Sequence, residues 1–305
     1  MFREYMRRHH ATKTRELVNF ISCLKPPRPV ATGLLPKITI VTPSYNQAKF
    51  LERTILSVLN QGYPNLEYII IDGGSTDGSV EIIRKYEKYL AYWTSRPDRG
   101  QSHAINEGFL RATGEYVGWQ NSDDLFFPGA LLRLGKAASA GRPPIVSGNL
   151  YIADAQNRIF REIQYTPVDR GMLTVVKASI PNQAAIFRRD LLEKYGMLDE
   201  DKRYCMDLDL WSRLLYAGPN TIVPDAYGVY TMHAETKTAR LQDVLLEERS
   251  AIVRKIRQTE PGIGPLYGIS CRLAKMAAHA KQGDIPYLLE KFTSKLIGRD
   301  DWNEH

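Results

Sequence analysis

The sequence predicts an α/β protein in which helices cover both faces of a mostly parallel sheet, with helical extensions before and after it. Three observations carry that expectation. Short apolar runs alternate with amphipathic stretches of helical period from Lys37 to Trp119. The apolar runs are followed by loops rich in Gly, Asp, Asn and Pro. Near both ends of the chain, apolar residues recur at helical spacing among Lys and Arg.

The first helical pattern runs from Arg15 to Leu24, with Leu17, Val18, Phe20, Ile21 and Leu24 as its apolar face, after the basic run Arg7-Arg8-His9-His10. Lys25-Pro26-Pro27-Arg28-Pro29 cannot continue a helix and reads as a linker, so residues 1–36 form a basic N-terminal helix and a Pro-rich linker. From Lys37 the expected order is strand (Ile38 to Thr42), helix (Ala48 to Leu59), strand (Tyr68 to Ile71) and helix (Ser79 to Tyr89). A short strand at Tyr92-Trp93, a helix from Ser102 to Ala112 and a strand from Tyr116 to Trp119 follow, and Tyr227 to Met232 reads as the last core strand. Residues 240–305 read as a helical extension, first on Leu241, Val244, Leu245, Ile252, Val253 and Ile256, then on Leu273, Met276, Tyr287, Leu288, Leu289 and Phe292. Its expected role is to pack on the main domain; its basic surface also suits peripheral contact with a membrane.

A composition of 43% hydrophobic and 25% charged residues belongs to a folded globular protein, not a disordered one. The net charge of +7 suits a partner bearing phosphate: nucleic acid, an anionic membrane or a nucleotide-linked substrate. Cys23, Cys205 and Cys271 are too far apart for a zinc motif or a disulfide framework, which points to a reducing compartment. The N-terminus has no apolar core of a signal peptide, and no run approaches the roughly 18 apolar residues of a spanning helix. A cytoplasmic protein is expected, at most peripheral to the inner face of the membrane.

In such sheets ligands bind at the carboxyl ends of the strands, so the loops leaving the strands hold the candidate site. They are Thr42-Pro43-Ser44-Tyr45-Asn46, Asp72-Gly73-Gly74-Ser75-Thr76-Asp77-Gly78, Arg96-Pro97-Asp98-Arg99-Gly100-Gln101, and Asn121-Ser122-Asp123-Asp124. If the strands are adjacent, Asp72, Arg99 and the Asp123-Asp124 pair converge in one polar cleft. Adjacent carboxylates repel and raise each other's pKa, so the pair calls for a cation or a network of donors. Hard divalent ions with oxygen ligands are the natural choice.

Taken together in this order and spacing, these motifs resemble those of the family 2 glycosyltransferases, the inverting, nucleotide-sugar-dependent enzymes of the GT-A fold. The resemblance runs from about Lys37 to Lys237. It also takes in Ala104-Ile105-Asn106-Glu107-Gly108, Asn182-Gln183 with Ala184 to Arg189, Asp207-Leu208-Asp209-Leu210-Trp211 and His233-Ala234-Glu235-Thr236-Lys237-Thr238. It implies a GT-A domain over 37–239. It also implies a donor site made by Thr42, Pro43 and Tyr45 around the base, Asp72 bonded to the base, Arg99 and Gln101, and Asp123 at the ribose. Asp124 is the implied ligand of Mn²⁺ or Mg²⁺ on the diphosphate; the His233 imidazole could complete the metal sphere or contact the diphosphate, and Lys237 could reach phosphate. Asn182 and Gln183 shape the acceptor side.

A third carboxylate must act as base, and Asp207 and Asp209 compete for it. In a helix from Leu208 to Tyr216, the residues three, four and seven beyond Asp207 are Leu210, Trp211 and Leu214, so Asp207 heads the inward stripe. Asp209 instead meets Ser212 and Arg213, where an ion pair one turn apart explains it. Asp207 is therefore the expected base. Met206 stands where a common form of the family has Glu, which removes a second carboxylate beside it.

The expected function is transfer of a single hexose-type sugar from a nucleotide donor, UDP above others, to a carbohydrate or lipid-linked hydroxyl acceptor in bacterial surface polysaccharide or glycolipid synthesis. The alternative is a metal-dependent nucleotidyltransferase acting on a sugar phosphate, but Thr42 to Asn46 is not the glycine- and lysine-rich loop such an enzyme uses. A dehydrogenase would need G-x-G-x-x-G after the first strand. A nucleic-acid binder would gather its cations into an aromatic-interleaved patch, and neither feature is found.

Overall fold

The structure, a computed structural model, describes residues 2–25, 35–175, 178–233, 242–260, 262–263 and 265–282. Strand β1 (Ile38–Ser44) is buried along its whole length, with Ile38 and Ile40 in one core and Val41 in the other. A strand covered on both faces needs apolar side chains at successive positions, hence the continuous runs in the sequence. β2 (Leu66–Asp72) behaves in the same way: Tyr68 and Ile70 face one core, Ile69 and Ile71 the other.

β1 pairs in parallel with β2 on one side and with β4 (Tyr116–Trp119) on the other, and β3 (Tyr92–Ser95) extends the sheet beyond β2. The helix α2 (Ala48–Leu59) joins β1 to β2, and α3 (Ser79–Tyr86) joins β2 to β3. Both contribute to the core that holds Ile38 and Ile40, whereas α4 (Gln101–Arg111), which joins β3 to β4, contributes to the opposite one. The strand order thus reverses between β1 and β4, and a crevice opens at their carboxyl ends. Helix α4 approaches β1 closely at Gly108, where a Cβ would lie 2.4 Å from Val41 Cγ1. That is the physical reason for a glycine in the motif.

The second half of the sheet is antiparallel in part, which the alternation of the first half did not predict. Beyond β4 come β8 (Ala185–Arg188), β6 (Ile145–Asp154), β9 (Thr221–Met232) and β5 (Leu125–Phe126), with β7 (Ile159–Ile163) hairpinned on β6. β8 runs antiparallel to both β4 and β6, while β9 runs parallel to β6. Helix α5 (Ala130–Ser139) packs on β9 and β6. On the face shared with α4 lie α6 (Met172–Val175), α7 (Asp190–Tyr195), α8 (Met206–Leu214) and α9 (Gln242–Thr259), and α10 (Pro265–Gln282) packs on α6.

Sequence and structure agree on the bounds of α2 and β4, while β1, β2 and β3 run longer and α3 is continued by a 3₁₀ turn over Glu87–Tyr89. The N-terminal helix α1 (Phe2–Phe20) begins well before Arg15 and ends at Phe20, docking Leu17 and Ile21 into the core around β1. The Pro-rich linker from Pro26 and the apolar residues Tyr287 to Phe292 lie outside the described residues. Among the described residues no helix is long and apolar enough to cross a membrane.

At the end of the sheet opposite the crevice, the carboxylate of Glu67 accepts bonds from Lys37 Nζ (2.7 Å), Thr39 Oγ1 (2.6 Å), Thr113 N (2.7 Å) and Thr113 Oγ1 (2.6 Å). These donors tie β1, β2 and the turn into β4 to one anion and hold its pKa down at about 2, against the penalty of burial. A carboxylate depressed in the folded state stabilises it above the ordinary carboxylate pKa, and that gain is lost as pH falls towards 2. Glu67→Gln should therefore lower the unfolding free energy at pH 7 by on the order of 2 kcal/mol, and the gap to wild type should close in denaturant melts as pH is lowered.

Candidate functional site

The crevice is lined by the loops that leave β1, β2, β3 and β4. Ser44 sits beside Asp72 in the β1–β2 register, and Gly73 N donates to Ser44 O at 2.8 Å. Asp72 is fully buried, and its two oxygens accept from Gly74 N, Ser75 N, Ser75 Oγ and Ser95 Oγ at 2.6–3.1 Å. Asp77 accepts from Ala48 N at 2.8 Å and from Ser79 N and Oγ, so it caps the starts of α2 and α3, in keeping with its omission from the expected site. Thr42 is likewise turned inward, its hydroxyl 3.0 Å from Tyr68 Oη. Pro43 is buried, whereas Tyr45 is 63% exposed at the mouth.

Gly73 also settles where the next loop lies. A Cβ built on it would stand 2.9 Å from Asp98 Oδ2, so the Asp98 carboxylate takes the space that a side chain at position 73 would need. Arg99, beside it, is exposed and makes a two-pronged contact with Glu200 Oε2 at 3.0 and 2.7 Å. Gln101 opens α4 and donates to Asn121 Oδ1 at 2.8 Å.

The acid pair is divided by depth. Asp124 is buried, with Thr231 N on Oδ1 at 3.0 Å and Asn121 Nδ2 and Gln183 Nε2 on Oδ2 at 3.0 and 2.9 Å. Burial and then the charge of Asp123 push its pKa up, and the donors from Gln183, Thr231 and Asn121 oppose them. The Asp123 side chain is 23% exposed, and its Oδ2 lies 3.0 Å from His233 Nε2. The His233 ring packs on Phe50 at 4.5 Å between centroids, and the Arg53 guanidinium lies 4.5 Å from the Phe50 centroid. The resemblance implies the metal on Asp124 and the ribose on Asp123; of the two acids Asp123 is the more exposed, and the His233 side chain beside it is only 6% exposed. Lys237 and Thr238 fall outside the described residues.

Asp207 is at the amino end of α8, where its Oδ1 accepts from Leu208 N at 2.7 Å. Burial raises its pKa, and the helix amides and the charge of Arg249 act against that rise. Asp209 pairs with Arg213 at 3.0 and 2.7 Å, one turn apart as the sequence suggests. The pair is more buried than a polar face would give, because the same guanidinium also donates to the carbonyls of Tyr195, Gly196 and Met197. The start of α4 bridges the two halves of the site: Gln101 meets Asn121, and Ser102 Oγ meets Met206 Sδ at 3.0 Å. The Met206 thioether thus occupies a packed position against α4.

Gln183, expected on the acceptor side, sits in a 3₁₀ turn before β8 and donates to Asp124 Oδ2. Phe50 and Asn121 were not singled out for roles of their own. An aromatic residue in an amphipathic helix carries no mark of what it will stack on. Arg188 and Arg189 pair with Asp190 and Glu193.

A family model described as "Glycosyl transferase family 2" matches residues 39–196, which is 158 of the 305 residues. An uncharacterized glycosyltransferase of Mycobacterium tuberculosis (strain H37Rv) is 31% identical over 167 residues, 54% of this chain and 64% of that protein. A putative teichuronic acid biosynthesis glycosyltransferase of Bacillus subtilis (strain 168) is 39% identical over 98 residues, 30% of this chain and 38% of that one. The matches thus span less than two thirds of these relatives' length. Among solved structures, S. aureus TarS 1-349 in complex with UDP-GlcNAc superposes with a TM-score of 0.60 at 18% identity, covering 80% of this chain and 72% of that one. The mannosyltransferase PcManGT from Pyrobaculum calidifontis, in complex with GDP-Man and Mn²⁺, gives 0.56 at 21% identity and covers 97% and 91%. At these identities the likeness is one of fold.

The unequal depth of the two acids has a measurable consequence. Asp124→Ala leaves the Asn121, Gln183 and Thr231 donors unpaired and should cost roughly 2–4 kcal/mol of stability in chemical denaturation. Asp123→Ala should stay within about 1 kcal/mol of wild type.

Proposed function

The chain belongs to glycosyl transferase family 2, and from that membership we propose that it moves a single sugar from a nucleotide donor, a UDP-sugar above others, to a hydroxyl acceptor with inversion. The observation that carries this reading is the bridge made by the start of α4 between the acid-bearing loop and the helix bearing Asp207. It ties the loop of the acid pair to the first residue of the helix that bears Asp207, which supports a donor site and a base in one crevice. The chemistry is assigned to residues 37–239, with helical parts on either side.

Tyr45, Arg99 and Gln101 are the donor contacts at the mouth, while Thr42, Pro43 and Asp72 form the floor beneath the base. Asp124 and His233 would hold a divalent cation, Mn²⁺ or Mg²⁺, with Asp123 at the ribose; Asp123 Oδ2 lies 3.0 Å from His233 Nε2, so acid and imidazole converge at the crevice. Among the described residues there is no cluster of three or more His, Cys, Asp or Glu side chains that could hold a metal ion by themselves. When bound, such an ion neutralises charge on the departing diphosphate. Asp207 takes the acceptor proton while the acceptor oxygen bonds to the anomeric carbon. The bond from that carbon to the diphosphate breaks, and its electron pair leaves with the nucleoside diphosphate. A carboxylate made more basic by burial suits that task.

The B. subtilis relative's name supports an acceptor in surface polysaccharide or glycolipid synthesis. Helix α10 supports peripheral contact with a membrane carrying lipid-linked acceptors: it has no Asp or Glu, and Leu266, Ile269, Leu273 and Met276 are exposed along one side.

Two experiments test the reading. A thermal-shift screen of nucleotide sugars with Mn²⁺ should find stabilising donors, and the best of them should release its nucleoside diphosphate in a metal-dependent reaction; pyrophosphate release from a nucleoside triphosphate would instead establish the nucleotidyltransferase. Asp207→Asn should lower kcat about 10²–10⁴-fold with donor binding retained. Because the Asp207 pKa is raised, the wild-type rate should decline with falling pH while still above the usual carboxylate range. Survival of activity in Asp207→Asn together with its loss in Asp209→Asn would reverse the assignment.

A further inference from the structure

The helix that carries Asp207 is held from outside the segment matched by the family. Glu248, on α9, accepts from Arg203 N at 2.9 Å with Oε1, and from Tyr204 N and Cys205 N at 3.0 and 2.9 Å with Oε2. These are the three amides immediately before α8, and Cys205 is its N-cap, with no side-chain capping bond of its own. Of the three, the Cys205 amide is the capping one, and the positive amino end of the helix favours a carboxylate beside the residues that lead into it. Here the carboxylate comes from a residue more than forty positions further along the chain. The contact is reinforced on both sides. Cys205 Sγ reaches Leu245 O at 3.6 Å, and Ile252 and Ile256 bury α9 in the same core as Trp211 and Leu214. Next to Glu248, Arg249 is the charged side chain that favours the ionised form of Asp207. The α9 helix is thus anchored by apolar packing and presents the Glu248 carboxylate to the three amides that lead into α8.

We propose that Glu248 is a positioning residue for Asp207: by gripping the amides of Arg203, Tyr204 and Cys205 it fixes the first turn of α8 and so the line along which the Asp207 carboxylate meets an acceptor hydroxyl. The proposal rests on the reading of Asp207 as the base. Donor contacts are made by other loops, so loss of the grip acts on proton removal and leaves donor binding intact. A base that is out of line matters less to an acceptor whose proton is already acidic.

The test uses the full chain, the nucleotide sugar that stabilises it most, and two simple alcohol acceptors, methanol and the more acidic trifluoroethanol. In Glu248→Gln, which keeps the size of the side chain but turns a donor toward one set of amides, kcat with methanol should fall 10- to 100-fold. The donor KM and the number of donor sites per chain in titration calorimetry should stay within twofold. The rate ratio of trifluoroethanol to methanol should rise at least fivefold over wild type, and Glu248→Asp should recover part of the loss. A merely structural contact would lower both rates equally and reduce the number of donor sites, leaving the ratio unchanged. That outcome, or a wild-type kcat in Glu248→Gln, overturns the proposal. Asp207→Asn run alongside separates the failures: if it remains active the base assignment falls and the proposal with it, whereas an inactive Asp207→Asn beside an unaffected Glu248→Gln removes the positioning role alone.

Discussion

The site depends on one aromatic stack. Trp119 closes β4 immediately before the acid-bearing loop, Trp211 lies in α8 one turn after Asp207, and their rings stack at 5.6 Å with planes 18° apart. Phe187 meets both edge-on at 6.5 and 5.6 Å, and Phe109 packs on Trp119 and Phe187 from α4. Strand and helix share no backbone ladder, so large rigid rings set the distance between them. Both indole N–H groups are buried without a hydrogen-bond partner, a polar cost that the apolar area of the cluster must offset. That the cost is tolerated indicates how much the spacing matters to the fold.

Around this stack, polar side chains are spent on architecture as much as on ligands. The Asp72 carboxylate closes its own loop, the Thr42 hydroxyl faces Tyr68, and Asp124 gathers donors from the β4 loop, the turn before β8 and the end of β9. Three separate stretches of chain converge on that one buried carboxylate. The crevice therefore has a rigid floor and a soluble rim, an arrangement that keeps its shape before any ligand arrives.

The parallel half of the fold was legible because β1, β2 and β4 are covered on both faces and read as apolar runs, and because α2 and α4 carry amphipathic faces. In the second half only the end of β9 was legible, as Tyr227 to Met232, while β5 has two residues, too few for a period to register. The Asp209–Arg213 pair was legible because helical geometry puts residues four apart on one side of α8. Asp123 and Asp124 could not be told apart in the same way. Their depths are set by Gln183, Thr231 and His233, remote in sequence, and no local pattern reports which of two adjacent acids those residues will reach. Glu248 was hidden for the same reason, as an ordinary acid on a helix whose apolar face drew the attention.

The close approach of Gly73 and Asp98 joins two loops into one steric unit. The room beside the end of β2 holds one acidic side chain, and in this chain β3's loop supplies it. A lineage that acquires a side chain at position 73 has to shrink or turn aside position 98, and the reverse change needs both steps again. Change at these two sites is therefore coupled: a side chain at position 73 requires the Asp98 carboxylate to swing out of the crevice.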